Sequence, residues 1–218
     1  MISHKYKSIF IHIPKTAGSS IQEALLSSKN DFRNFNQQDF DMQNIPPHAF
    51  GYNSINKWDI KHMPARFLKN TYKEYYKFCF VRNPWDLMVS CYFWWIQNTK
   101  LEFRKLQGEI LKKMGFNNFI MSFYTDYINE IFHSGMGQSY WILDYYNRND
   151  CVGYIGRYEN LQNDFDAICD IIGINKIILK PRNKTVHSHY RDYYTDDDAI
   201  NIIKHKFEFD IKRFKYSF

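Results

Sequence analysis

Runs of apolar residues recur along this chain, each followed by a small-residue or proline punctuation and then by positions spaced for a helix. The first run predicts a strand at about 8–13 and, after a short loop, a helix from about 18 to 28. Lys77–Val81 predicts the next strand, and Pro84, suited to a first helical turn where its missing N–H costs nothing, opens a helix to about Asn98. Cys151–Gly156 reads as a third strand, with a helix from about Leu161 to Ile172 that stops at Gly173. Thr195 is the expected N-cap of the last helix, whose first turn carries Asp196, Asp197 and Asp198 where the dipole favours negative charge. Residues 30–60, polar and interrupted by Pro46-Pro47, predict an irregular region with room for a substrate-binding insertion. Residues 100–148 predict helix, with Leu101, Leu106, Ile110 and Leu111, then Phe119, Ile120, Phe123, Tyr127 and Ile131, near helical spacing and expected in the core. Strands alternating with helices imply an α/β fold with a central parallel sheet. Without repeats or long linkers, residues 1–218 are expected to form a single domain.

Composition fits that picture. A chain of 218 residues can bury about 70% of its unfolded surface in one core, and 44% hydrophobic with 19% aromatic residues supplies the material. No run of eighteen apolar residues offers a membrane span, and Met1–Lys7 leads directly into the first strand. A cytoplasmic protein is expected, or a soluble domain trimmed of its anchor. The formal charge of +6 suits anionic ligands. The basic residues are scattered and match no nucleic-acid module, so nucleic acid is not the expected partner. Cys79, Cys91, Cys151 and Cys169 lack metal-ligand spacing and are expected as reduced core thiols. His187 and His189 form the one close histidine pair and lack partners of ligand spacing, so no metal is expected. Asn183-Lys184-Thr185 fits a glycosylation sequon, read as chance in a chain without a secretory signal.

Chemistry concentrates in two segments. In Ile9–Ser20 an apolar strand runs into a loop with Lys15, Thr16, Ala17 and Gly18, and Ser19 and Ser20 open the helix. Amides freed at a helix N-terminus make an anion site, Gly18 lets the backbone approach, and Lys15 adds a positive charge. The nucleotide-triphosphate loop needs Lys-Ser or Lys-Thr after its last glycine; here the lysine precedes the glycine, so ATP with magnesium is disfavoured. The second segment, Phe78–Asp86, ends a buried strand in Arg82-Asn83-Pro84, and the helix that follows carries Ser90. An arginine fork and a serine hydroxyl at these positions suit a second phosphate. Between the two lies His62 in Ile60–Ala65, an imidazole able to take a hydroxyl proton near neutral pH, with His48 as the alternative. His12, inside the first strand, is expected to pack or to orient the loop.

Phe10–Ser20 resembles the 5′-phosphosulfate loop, and Phe80–Ser90 the 3′-phosphate motif, of sulfotransferases that use 3′-phosphoadenosine 5′-phosphosulfate (PAPS). Gly156–Leu161 is similar to their strand end near the adenine, Ile60–Ala65 to the stretch that delivers the base, and the tail from Arg191 to Phe218 to the carbohydrate (family 2) branch. The resemblance implies a P-loop-like three-layer fold in which the segments at 14–20, 82–90 and 156–158 converge beyond the strands' carboxyl ends. It also implies PAPS as donor and the bisphosphate PAP as product. Lys15, Thr16, Ala17, Gly18, Ser19 and Ser20 would take the 5′ end, Arg82 and Ser90 the 3′-phosphate, Arg157 and Tyr158 the adenine side, and Lys184 and Arg191 would close over the donor. His62 would deprotonate an acceptor hydroxyl for in-line attack on sulfur, with Lys15 stabilising the leaving oxygen. The expected acceptor is a saccharide or glycan, for which Trp94, Trp95, Tyr140 and Trp141 could present ring faces, with Gln138 and Ser139 beside them. A nucleotide-dependent kinase and a non-catalytic polyanion-binding module remain alternatives at this point.

Overall fold

The computed structural model describes residues 1–27, 30–45, 60–97, 102–122, 137–144 and 149–218. Two compact units emerge, each built from two stretches of chain: Met1–Val81 with Gln138–Asn183, and Arg82–Gly137 with Lys184–Phe218.

The first unit is α/β. Its strands are β1 (Ile2–Ser3), β2 (Ser8–Ile11), β3 (Phe32–Arg33), β4 (Tyr76–Val81) and β5 (Tyr154–Arg157), in the sheet order β3-β1-β2-β4-β5. The centre is parallel as expected, with Phe10 beside Phe78 and Phe80 beside Gly156. The other side is not: β1 runs antiparallel to both β2 and β3, making the sheet mixed. Helices α1 (Gly18–Ser27) and, numbered in chain order, α5 (Leu161–Ile172) fall where the apolar spacing puts them. Ile21, Ala24 and Leu25 of α1 pack with Phe165, Ile168 and Cys169 of α5 against Phe10, Phe78 and Phe80 of the sheet. Helix α5 ends on Gly173 in the left-handed conformation, whose N–H caps the Cys169 carbonyl. Burial pushes the Cys169 thiol up to about 11, so it stays a protonated apolar filler.

Beside the sheet edge, Asp39 is 1% exposed and takes both Arg33 guanidinium nitrogens (2.8 and 2.7 Å), the Asn36 amide (2.8 Å) and the Tyr72 hydroxyl (2.8 Å). Burial alone pushes its carboxyl up; the Arg33, Asn36 and Tyr72 hydrogen bonds outweigh that and hold it below the usual carboxylate range. Asp39→Asn is therefore expected to lower unfolding free energy by about 2 kcal/mol at neutral pH. A depressed folded-state pKa stabilises above the unfolded value of about 3.9 and ceases to do so as pH falls through the folded value. Thermal unfolding of both proteins across pH 7 to 3 checks this: the gap in Tm narrows below about pH 4, and a gap independent of pH contradicts it.

The second unit is helical. Helices α2 (Pro84–Gln97), α3 (Glu102–Met114), α4 (Phe116–Met121), α6 (Asp197–Lys206) and α7 (Glu208–Phe214) surround a core that includes Met88, Tyr92, Phe119, Ile120 and Ile203. Two expectations change here. Leu106 and Ile110 of α3 are 64% and 51% exposed, not core, whereas Leu111 is buried. The cap of α6 is Asp196, which accepts from the Asp198 amide, because the Thr195 hydroxyl is taken by the Asn117 side chain. Phe123, Tyr127, Ile131, Leu101 and the Pro46-Pro47 stretch lie outside the described residues. No helix among the described residues is long and apolar enough to cross a membrane.

Candidate active site

In the first unit the loop from His12 to Ala17 joins β2 to α1. Lys15 and Ala17 both adopt left-handed backbone, with φ of 66° and 65°, each costing an L-residue roughly 1–2 kcal/mol. Thr16, fully buried between them, pins the turn by donating its hydroxyl to the Ile13 carbonyl at 3.0 Å. The Ala17 carbonyl accepts from the Ser20 and Ile21 amides and so starts the helix. A turn of this kind directs backbone N–H groups toward a concave side suited to oxyanions. Thr16's own hydroxyl proton is committed to the loop, leaving its backbone amide as its possible donor to a ligand. Ser20 Oγ accepts from the Arg182 amide (3.0 Å) and Ser19 Oγ from the Asn183 side chain (3.3 Å), which leaves both serine hydroxyl protons able to donate. Arg182 also pairs with Glu23 of α1.

Gly18 has a neighbour that sequence reasoning did not anticipate. A Cβ built there would lie 2.0 Å from His12 Nε2 and 2.1 Å from Cδ2. The missing side chain thus makes room for a buried imidazole. Gly18→Ala must displace the His12 ring, and a loss of about 1–3 kcal/mol is expected. Thermal unfolding of that variant measures it, and an unchanged Tm would show that the ring is not confined there.

His12 is 4% exposed, stacks on Phe10 at 5.6 Å and meets the His62 ring edge-to-face at 4.4 Å. Burial above all, then His62, Lys61 and the Met1 amino group, holds its pKa well below that of an ordinary imidazole, so His12 is neutral. His62 sits in a single turn, Ile60–His62, with Nδ1 3.0 Å from the His12 carbonyl oxygen. A carbonyl only accepts, so Nδ1 carries the hydrogen and a neutral His62 ring holds its lone pair on Nε2. The His62 carbonyl in turn accepts from the Trp141 indole at 2.8 Å. Tyr140 stacks under the Arg66 guanidinium at 4.1 Å. Tyr140 and Trp141 are 7% and 5% exposed, and Gln138 and Ser139 are 1% exposed. All four are interior and so do not form the saccharide-facing surface expected of them; Trp141 is the one whose bond to the His62 turn is seen among the described residues. His48 lies outside the described residues.

Arg157 ends β5 and Tyr158 opens a short turn before α5, both half-buried. Asp164 of α5 ties this corner together, accepting from the Arg157 amide at 2.6 Å and from the Asn160 side chain at 2.8 Å. Sequence reasoning passed over Asp164, although an acidic residue in a first helical turn is the available signal.

In the second unit Arg82 is 4% exposed and donates from Nε to Asp86 Oδ2 at 2.7 Å. That bond fixes the plane of the guanidinium, whose Nη groups form the fork suited to a phosphate. Asp86 was also passed over; its spacing of four from Arg82, across a helix start, carries the signal. Asn83 accepts from the Trp85 amide at 3.0 Å and so caps the helix that holds Ser90, itself buried. Lys184 is exposed. Arg191 donates to the Phe218 backbone oxygen at 2.6 Å and lies over the Phe218 ring. Trp94 and Trp95 are half-buried and perpendicular to one another at 5.1 Å.

No curated protein matches the chain at a significant level. A family model described as "Sulfotransferase family" matches residues 1–217, spanning the loop at Lys15, the His62 turn, the Arg82 segment and the tail. This chain therefore belongs to the sulfotransferase family, of the family 2 type.

Proposed function

We propose that this sulfotransferase moves a sulfuryl group from PAPS to a hydroxyl of a saccharide, with His62 as general base, and that residues 1–218 serve this as one catalytic domain. The observation that carries the reading is the anchoring of His62: its Nδ1 hydrogen goes to the carbonyl of His12, the first residue of the Lys15 loop. The base is tethered to the segment proposed to hold the reacting end of the donor. The loop amides, Lys15, Ser19 and Ser20 would bind the 5′-phosphosulfate, with Thr16, Ala17 and Gly18 shaping the turn. Arg82 and Ser90 would bind the 3′-phosphate, and Arg157 and Tyr158 would line the adenine, with Lys184 close to the donor.

The acceptor hydroxyl would give its proton to His62 Nε2 while its oxygen bonds to sulfur. The bond from sulfur to the bridging oxygen breaks, and PAP leaves with the electron pair. Charge growing on that oxygen is met by Lys15 and by amides already oriented, the preorganised electrostatics that lower such barriers most.

Incubation with radiolabelled PAPS and a panel of glycosaminoglycans, simple sugars, glycolipids and phenols tests the reading. Label is expected on a saccharide. Label on phenols alone overturns the acceptor, and stabilisation by ATP with magnesium but not by PAP overturns the donor.

A further inference from the structure

His12 is placed where it can decide what His62 does. Its ring is confined on three sides: by the face of Phe10, by the backbone of Gly18, which leaves no space for a Cβ, and by the ring of His62. Its carbonyl receives the Nδ1 hydrogen of His62. Its own Nδ1 is buried and has no hydrogen-bond partner among the described residues. A buried polar atom left unsatisfied is destabilising, a cost that an apolar ring of the same shape would avoid. The imidazole is nevertheless not arranged as an acid or base: it is neutral and enclosed.

We propose that His12 is a positioning residue for His62: its wedged ring holds the loop so that the His12 carbonyl accepts from Nδ1 of His62, which directs the His62 lone pair onto Nε2. The role belongs to the ring's shape and to the backbone behind it. This inference rests on His62 being the general base.

Nitrogen-15 NMR of the histidine rings reads the claim without an acceptor. In the wild-type protein at a pH where His62 is neutral, Nδ1 is expected to be the protonated nitrogen and Nε2 the unprotonated one. His12→Ala removes the wedge; His62 is expected to become a mixture of tautomers, and release of PAP from PAPS, with water as acceptor, to slow at least tenfold with KM for PAPS little changed. Replacing His12 with thienylalanine, a five-membered ring without nitrogen, restores the shape and is expected to restore both signals. A wild-type His62 protonated on Nε2, or a His12→Ala protein with unchanged tautomer and rate, overturns the proposal. Failure of thienylalanine to restore a folded protein's rate overturns it too, since a ring nitrogen would then be needed. Failure of the underlying reading looks different: His62→Ala keeps the wild-type rate while the tautomer results stand.

Discussion

Replacing His62 with alanine is expected to lower the rate of sulfuryl transfer by about two to four orders of magnitude, the usual worth of a positioned general base, while PAP binds nearly as before. The expectation rests on local geometry. The His62 ring is oriented by a hydrogen bond to the His12 carbonyl, and its backbone is held by the Trp141 indole. A neutral ring so held presents Nε2 as its basic atom. Removing the ring takes away the proton acceptor and leaves the Lys15 loop standing, because Thr16 and Ala17 build that loop from within. Single-turnover rates with labelled PAPS, alongside PAP titrations, separate the two effects. A wild-type rate in His62→Ala would move the base elsewhere, with His48 the next to test. A parallel loss of PAP affinity would mean that His62 supports the loop and does not act on the acceptor.

The second large effect is expected at Arg82. Arg82→Ala is expected to weaken PAP binding by roughly one to two orders of magnitude, since a charge-assisted hydrogen bond is worth about 1.5–3 kcal/mol. Arg82 is almost fully buried and its guanidinium plane is set by Asp86 at 2.7 Å, so its side chain loses little freedom on meeting an anion. The alanine variant also strands the Asp86 carboxylate. Arg82→Lys answers that concern by keeping the charge while losing the planar fork; it is expected to fall between wild type and alanine. Isothermal titration checks the order of the three, and equal affinities across them would remove Arg82 from phosphate recognition.

Several elements were legible before any coordinates. Strands β2 and β4 and helices α1, α2 and α5 announced themselves because an apolar run ended in a small residue or proline and a helical spacing followed. The two-residue strands β1 and β3 did not, since no periodicity can show in two residues and their pairing partners are set by tertiary contact. Strand β5 begins at Tyr154, three residues later than its apolar run suggests, because the Cys151 amide is bonded to the Ile142 carbonyl and Leu143 bridges Asp150 outside the sheet. Tyr140 and Trp141 illustrate the same limit at the site: composition marks them as aromatic, and only the fold shows them buried, Trp141 bonded to the His62 carbonyl and Tyr140 stacked on Arg66. Lys15, His62 and Arg82 could be singled out from their motifs. Of the groups that orient them, Asp86 is signalled by its spacing of four from Arg82, whereas the His12 carbonyl became visible only through distances.

The claim on which the account turns is that the ligand is an adenosine carrying a 3′-phosphate recognised by Arg82. Calorimetric titration of PAP and of AMP, which lacks that phosphate, into wild type and Arg82→Ala tests it most directly. The account predicts that wild type prefers PAP by about 1.5–3 kcal/mol and that Arg82→Ala loses most of this preference while binding AMP as wild type does. Equal wild-type affinities for the two nucleotides, or a preference for PAP that survives in Arg82→Ala, would contradict it.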